Sequence, residues 1–451
     1  MDSIPSSPLE PFMEFSPNRE LSDSIVSSGS SSRSLSLSER RHLRYSTSSS
    51  GSRFSILDDL NAPGGSDGGR MGLFDRETGI ELQRHPDLWF PDGSIVCRAE
   101  NTLFRVHSSQ LGRHSVCFRD LFVVGSSHTS RGRMSRKDVL DALNANAQDG
   151  ADGQTSWERL GGCPAVRLWD RAEDVANLFT SLYDGPTFGN NDKDDYRIVS
   201  GILRLATKYI IDNLRNKAIA HLSIVWPTTL KAWDTREDLA RAYEVRTGGR
   251  RLYPSPQDVI CLAREVDAPI LLPSAFYDLS RFSFTQIFEP GEDEVLHQSR
   301  LAGRPDPVLQ DVDLQRLALG KEAAQHAITS LIQAMGQSQS IRHPGTHMRK
   351  GSASSAAVCV SAAACRKDFG ELVDLATQHY LFDRERGCYD PLYVAEELGQ
   401  LKSAEFSECK ACARSLESWA TRERERMWKA MPAWFRLDSP MDLVPAAGSS
   451  K

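Results

Sequence analysis

Two short apolar runs between residues 94 and 107, separated by the polar residues RAEN, constrain the fold of this chain most strongly. The sequence SIVCRAENTLFRVH predicts a β-hairpin, because each run is long enough for one strand and polar residues between them favour a turn. The next segment, SSQLGRHSVCFRDLFVV, has apolar residues spaced for two short helices, with Ser115 near a helix start. A strand pair followed by a helix pair predicts an α+β fold.

A second group of elements follows a long polar segment. Between about residues 126 and 156 the sequence is polar and contains Gly, so we expect a flexible insertion. CPAVRLWD then predicts a third strand, and Asp170 with Glu173 predicts a capping box for the next helix. Apolar spacing predicts a further helix pair that divides near Tyr209, and the Trp-Pro pair at 226–227 ends this pattern.

Composition divides the chain into an arm, two folded regions and a tail. The arm is rich in Ser with Pro and Gly, and we expect it to be disordered because it cannot bury enough apolar surface to offset the loss of chain entropy. The second folded region has helical apolar spacing over most of its length. The predicted boundaries are 1–77 for the disordered arm, 78–226 for the α+β domain, 227–436 for a mostly α-helical domain with loops near 290–310 and 336–357, and 437–451 for the tail.

Charge and hydropathy exclude several functional classes. The formal net charge of −6 gives no general attraction to nucleic acid, so we expect no nucleic-acid partner. The first residues lack the pattern of a secretory signal, and no run of about 18 apolar residues predicts a membrane span. The nine cysteines are scattered, which is typical of reduced thiols rather than a disulfide framework. We therefore expect an intracellular protein, cytoplasmic or nuclear, with no membrane association.

Three segments in order resemble the BTB/POZ domain family. ENTLFRVHSSQLGRHSVCFRDLF resembles the family's strand that leads through phenylalanine and histidine into two short helices. CPAVRLWDRAEDVANLFTSLYDGP is similar to its next strand and helix, and YRIVSGILRLATKYIIDNLRNKAIAHL to its closing helix pair, with Leu205, Ala206, Lys208 and Tyr209 at matching positions. The match covers about a third of the chain, and the full sequence, including SAFYDLSRFSF, LYVAEELGQLKSAEF and CKACARSLESWA, is further similar to uncharacterised fungal BTB-domain proteins.

The resemblance implies a small sheet with a helical cluster, followed here by the helical region. It also implies a non-enzymatic adaptor or scaffold that binds protein partners and self-associates as a homodimer, without a cofactor. The candidate partner-binding residues are Phe118, Leu121, Phe122, Val123 and Val124. Two alternatives stay open: a transcription regulator, and a substrate adaptor for a cullin-type ubiquitin ligase. Against the cullin role, VVGSSHTS follows RDLF without the acidic residue that such adaptors carry.

Cysteines in the C-terminal half suggest one further chemistry. Cys409 and Cys412 form a C-x-x-C pair, and Cys359 and Cys365 lie upstream, so four thiolates could enclose zinc in a zinc-stabilised helical domain. A pair at i and i+3 in a helical sequence is more often two packed thiols, so the sequence assigns no metal. His107 lies at a predicted strand-to-helix junction and has a structural interpretation, so no catalytic residue is assigned. An enzyme without a motif in the C-terminal half remains the last alternative.

Overall fold

The computed structural model of the protein describes residues 73–75, 78–126, 158–160, 162–289, 308–337, 359, 361–382, 388–400 and 409–437. Nearly all of the predicted arm and of the predicted tail, and most of the insertion and of the two loops, lie outside these residues. Within them the chain has a mixed α+β architecture, with a small sheet near the N-terminal end and a helical C-terminal region. This confirms the α+β class and the helical character of the second half.

The small sheet is built around the predicted hairpin. Its strands are β1 (Leu73–Phe74), β2 (Glu81–Trp89), β3 (Ile95–Ala99), β4 (Thr102–Val106), β5 (Glu158–Leu160) and β6 (Cys163–Leu168). They hydrogen-bond in the order β1-β2-β4-β3-β6-β5. β3 and β4 form the antiparallel hairpin, and β6 confirms the predicted third strand and lies parallel to β3. β2 runs parallel to β4, and the short strands β1 and β5 pair antiparallel with β2 and β6.

Both faces of the hairpin are buried. Cys97 and Phe104 belong to a core cluster that includes the helices of the same region, whereas Val96 and Leu103 belong to a smaller cluster on the other face. Successive strand residues point to opposite faces, so burial of every residue of β3 requires cover on both sides. This pattern agrees with the position of β3, which with β4 forms the centre of the six-stranded sheet.

An ion pair extends the folded chain towards the N-terminus. Arg98 on β3 is buried, and its Nη2 lies 2.7 Å from Oδ2 of Asp75. Burial of a guanidinium without a counter-charge would be costly, so Asp75 neutralises it and holds β1 beside β2. Residues 73–75 therefore belong to the folded unit, although the predicted arm extended to residue 77.

Five helices cover one face of the sheet. They are α1 (Ser108–His114), α2 (Val116–Ser126), α3 (Ala172–Tyr183), α4 (Lys193–Lys208) and α5 (Asp212–Val225). The two helix pairs, the break near Tyr209 and the end at Trp226 are confirmed. Ser115 lies between α1 and α2, where its Oγ accepts a 3.0 Å hydrogen bond from the N–H of Phe118, as its predicted place at a helix start implies.

The predicted capping box is wrong. No side chain at the N-cap position of α3 makes a capping bond, and the first N–H of α3, on Ala172, donates instead to Oε2 of Glu100 at 3.1 Å. The carboxylate of Asp170 accepts a 2.7 Å bond from Nζ of Lys208 and another from the hydroxyl of Tyr209. Asp170 is therefore occupied by partners from α4 and its C-cap, which local sequence spacing could not predict.

The described residues of the C-terminal region are mostly helical. Its helices are α6 (Leu230–Thr247), α7 (Pro256–Glu265), α8 (Leu272–Ser280), α9 (Phe284–Phe288), α10 (Asp311–Gln337), α11 (Ala362–Thr377), α12 (Pro391–Gln400) and α13 (Lys410–Trp434), with a 3-10 turn at Pro269–Leu271 and a π turn at Gln378–Phe382. Of the helices in the described segments, none has the length and apolar character needed to cross a membrane.

One hydrophobic core joins the two regions. It contains Val199 and Leu222 from α4 and α5 together with Phe276, Leu331 and Leu416 from the C-terminal helices. Packing is therefore continuous across residue 226, where the sequence places a domain boundary. The first region completes its own core around the sheet and also contributes α4 and α5 to the second.

Candidate functional site

The predicted partner-binding residues all lie on α2, and they differ in exposure. Phe118 is fully buried in the core of the first region, where it holds α2 in place. Leu121 and Phe122 are partly buried and pack against the same core. Val123 and Val124 continue α2, but their side chains lie outside the described part of the chain. Of this set, Leu121 and Phe122 are the residues with described surface that a partner could contact.

Two exposed apolar residues flank the point where the start of α2 is hydrogen-bonded to the end of α4. Oγ of Ser115 donates a 2.6 Å hydrogen bond to the carbonyl oxygen of Tyr209, which ties the start of α2 to the end of α4. Val116, which follows Ser115, is 47% exposed, and Ile210, which follows Tyr209, is 54% exposed. The hydrogen bond therefore places the backbones of two exposed apolar residues near each other, and we call these residues the Val116–Ile210 patch. The sequence predicted the break near Tyr209 but gave no signal for this exposure.

The backbone at Ile210 is strained. Its φ is +54°, in the left-handed region, and the N–H of Ile211 donates to the carbonyl of Ala206 at 2.8 Å. This bond closes α4 in the Schellman manner, a motif in which the left-handed position is usually glycine. A β-branched residue in this conformation costs about 1–2 kcal/mol. Stability of the helix end alone would therefore favour glycine over isoleucine.

His107 occupies the strand-to-helix junction, as expected. Its Nδ1 lies 2.8 Å from the hydroxyl of Tyr183, and its Nε2 lies 3.2 Å from Oδ2 of Asp92. The same Tyr183 hydroxyl accepts a 2.9 Å bond from the backbone N–H of His107, and the imidazole packs against the ring of Phe90. Because both ring nitrogens have these neighbours, His107 joins the start of α1 to the end of α3 and has a structural role.

A polar cleft of about 630 Å³ opens in the C-terminal region, over a buried ion network. Asp278 on α8 is fully buried, and its Oδ2 lies 2.6 Å from Nη2 of Arg236 and 3.2 Å from Nη2 of Arg251. Its Oδ1 also accepts from Nη2 of Arg281, whose Nη1 lies 2.7 Å from Oε2 of Glu237. One carboxylate thus anchors three guanidinium groups from different parts of the chain.

Aromatic rings surround the most buried arginine of this network. The guanidinium carbon of Arg236 lies 4.9, 4.5 and 5.0 Å from the ring centroids of Trp226, Trp233 and Tyr253. A cation over an aromatic face is attracted by the ring quadrupole, and the attraction is stronger where water is excluded. Trp226 ends α5, so this contact also connects the first region to α6.

Asp278 carries its negative charge near neutral pH. Burial raises the pKa of Asp278, but the positive charges of Arg236, Arg281 and Arg251 outweigh it and hold that pKa well below the ordinary range. The hydroxyl of Tyr277 donates a 2.5 Å hydrogen bond to the carboxylate of Asp390. Burial and this neighbouring negative charge raise the pKa of Tyr277 well above its usual value. General acid–base catalysis requires a pKa near the working pH. These groups therefore suit a structural role better than proton transfer.

Four cysteine side chains from two separated segments meet in the C-terminal core. The Sγ atoms of Cys359, Cys365, Cys409 and Cys412 all lie within 4.8 Å of one another. Sγ of Cys359 is 3.6 Å from Sγ of Cys365 and 3.8 Å from Sγ of Cys412. Cys359 is partly buried, and the other three are buried. The structure therefore assembles the complete set of zinc candidates that the sequence left open, and we call it the four-cysteine cluster.

The four thiols lie at or next to the N-terminal ends of two helices, α11 and α13. Cys359 precedes α11 and Cys365 lies in its first turn, while Cys409 is the N-cap of α13 and Cys412 lies in the first turn of that helix. Burial, with a hydrogen bond to Cys359, raises the pKa of Cys365 to about 12, so the free thiol is protonated near neutral pH. Thiolates at these positions would require a compensating cation.

No protein-family model matches the chain, and no curated protein matches it. What this chain does must therefore be inferred from its own residues and geometry.

Proposed function

We propose that this protein is a non-enzymatic adaptor or scaffold that binds other proteins through a BTB/POZ-type module at residues 78–226. The three sequence segments that resemble the family coincide with β4 to α2, β6 to α3, and α4 to α5. A small sheet with a helical cluster supports this assignment, because the resemblance implies that combination.

The observation that carries the proposal is the Val116–Ile210 patch. Ile210 exposes 54% of its surface from a backbone position where the helix end favours glycine. Strained positions that persist in a fold are concentrated at functional sites, and neighbouring exposed apolar residues are typical of contact surfaces. Binding through this patch accounts for an isoleucine that stability alone disfavours.

We propose a second copy of this chain as the first partner of the patch. The resemblance implies self-association, and a two-fold contact places the same surface of both copies together. Ile210 and Val116 of one copy would then be covered by the equivalent surface of the other. The helical C-terminal region would remain available for a client protein.

The test is sedimentation of the full-length chain over a wide concentration range, with and without Ile210→Gly. Ile210 is about half exposed in each copy, so a dimer would newly bury about one whole isoleucine side chain. Replacement by glycine removes this burial, which stabilises the dimer by about 1.5–3 kcal/mol. We therefore expect the dimer dissociation constant to rise at least about tenfold, since about 1.4 kcal/mol corresponds to that factor. The same substitution should leave the folded chain as stable as the wild type or more stable, because glycine relieves the backbone strain.

Ile224→Ala is the matched control. Ile224 lies on α5 and is 64% exposed, about 18 Å along the helix from its start near Ile210. We expect it to leave association unchanged. A wild-type chain that sediments as a monomer at every concentration would refute self-association, and Ile210→Gly dimers as tight as the wild type would refute the patch.

The cullin-adaptor and transcription-regulator versions of the adaptor role stay predictions. Affinity purification of the full-length chain with mass spectrometry separates them, because recovery of a cullin scaffold indicates a ubiquitin-ligase adaptor and recovery of chromatin proteins indicates a regulator.

A further inference from the structure

We propose that Cys359, Cys365, Cys409 and Cys412 bind one Zn²⁺ ion as a closed, structural site. Thiolate sulfurs bind zinc at about 2.3 Å, so the edges of a regular ZnS₄ tetrahedron are about 3.8 Å long. The distances from Sγ of Cys359 to Cys365 and Cys412, 3.6 and 3.8 Å, match those edges, and every other pair lies within 4.8 Å. All four sulfurs therefore lie close enough together to share one ion of this size.

The positions of these residues in the chain are those of a structural zinc site. Cys409 and Cys412 have the two-residue spacing that is typical of one half of such sites, and the second half comes from a distant segment. Cys359 and Cys365 are further apart than usual, and the start of α11 between them supplies the turn that brings both thiols to one point. Each pair lies at the N-terminal end of a helix, where the helix dipole favours negative thiolates.

The burial of the cluster favours a structural ion over a catalytic one. A catalytic zinc keeps one coordination position open for water or substrate, whereas a structural zinc is enclosed by four protein ligands. Cys365, Cys409 and Cys412 are 3%, 5% and 0% exposed, and all four sulfurs lie close enough to share one ion. An ion here would hold the start of α11 against the start of α13.

Other uses of four thiols fit the distances less well. A disulfide requires about 2.05 Å between sulfurs, whereas Sγ of Cys359 lies 3.6 and 3.8 Å from Sγ of Cys365 and Cys412. Iron–sulfur clusters spread four cysteines over more than one iron, which separates the ligands more widely than a single ion does. A single iron also accepts four tetrahedral sulfurs, so metal analysis must identify the ion.

The first experiment measures the metal content of the full-length protein, purified without a metal-affinity step. We expect about one zinc per chain, which is the stoichiometry of a four-cysteine site. Double substitution Cys409→Ser and Cys412→Ser should remove it. Cys261→Ser is the control, because Cys261 is partly buried and lies outside the cluster. Stoichiometric iron in place of zinc would overturn the choice of ion.

A second experiment covers the case in which the double variant does not fold. The wild-type chain is stripped with a chelator under reducing conditions and titrated with Co²⁺, whose absorption distinguishes a tetrahedral tetrathiolate from other ligand sets. We expect saturation at one equivalent, displacement by Zn²⁺, and protection of four thiols from alkylation while the metal is bound. Absence of metal as purified together with no uptake by the stripped chain, or the recovery of two disulfides from the cluster, would overturn the proposal.

Discussion

Replacement of Asp278 by asparagine tests whether the buried ion network holds the C-terminal region together. Asn has nearly the same shape as Asp, so the substitution removes a charge without leaving a large cavity. The network balances three arginines against three acids, through pairs among Arg236, Arg251, Arg281, Asp278, Glu237 and Asp390. Without the charge at position 278, one buried positive charge has no counterpart.

The expected cost follows from the burial of this site. Removal of one partner from a buried ion pair destabilises proteins by about 3–5 kcal/mol, because the other partner stays buried without compensation. Asp278 is fully buried and accepts bonds from three guanidinium groups, so we expect a loss in the upper part of that range. Natural domains have about 5–15 kcal/mol of stability in total, so Asp278→Asn should remove a large part of it.

Denaturant unfolding at pH 7, followed by tryptophan fluorescence, provides the measurement. Asp238→Asn is the matched control, because Asp238 forms an exposed pair with Arg241 on α6 and such pairs contribute under about 1 kcal/mol. If the Asp278→Asn protein loses no more stability than the control, the network does not stabilise the fold and the reasoning is refuted.

The pH dependence of this difference has a defined sign. The pKa of Asp278 is lowered in the folded protein, because the positive charges of the three arginines outweigh the effect of burial. The unfolded chain therefore takes up a proton at this residue first as the pH falls below about 4, the ordinary value for aspartate. The stability gap between wild type and Asp278→Asn should be full at pH 7 and should shrink at lower pH. A gap that stays constant down to pH 3 would contradict the assignment.

Two other pairs of substitutions test packing and charge elsewhere. Gly320→Ala on α10 would place a Cβ 1.9 Å from Cε1 of Phe435, so thermal unfolding should show a loss of about 1–3 kcal/mol. Gly370→Ala on α11 meets nothing within 4 Å and should be neutral or stabilising, so equal effects of the two would contradict the packing. Arg98→Met should cost about 3 kcal/mol in denaturant unfolding, since Asp75 stays buried, and adding Asp75→Leu should recover part of it. A double variant less stable than Arg98→Met would count against this account.

Much of the fold could be predicted because its signals are local. The hairpin of β3 and β4 and the spacing of α1 to α5 are properties of neighbouring residues, and the structure confirms them. β2 was missed because Glu81–Trp89 is polar, contains Pro86 and is mostly exposed, as suits a strand near the edge of the sheet. The predicted capping box at Asp170 was wrong because Lys208 and Tyr209, far away in sequence, bind its carboxylate.

The candidate site was predictable in part. The sequence supplied the four cysteine candidates, but spacing could not show whether residues 359 and 365 meet residues 409 and 412, because that depends on how α11 and α13 pack. Phe118 could be recognised as apolar, but its complete burial follows from the tertiary position of α2. The exposure of Ile210 has no sequence signal, since isoleucine is normally a core residue.

The rings around Arg236 limit how this protein could be divided. Trp226, at the end of the first region, is 1% exposed and depends for that burial on the helices that follow it. A chain cut after this residue would expose Trp226 and the faces of α4 and α5 that pack in the shared core. The first region is therefore not an independent domain. Its transfer to another protein would require α6 to α8 as well, or replacement of its apolar outer face by polar residues.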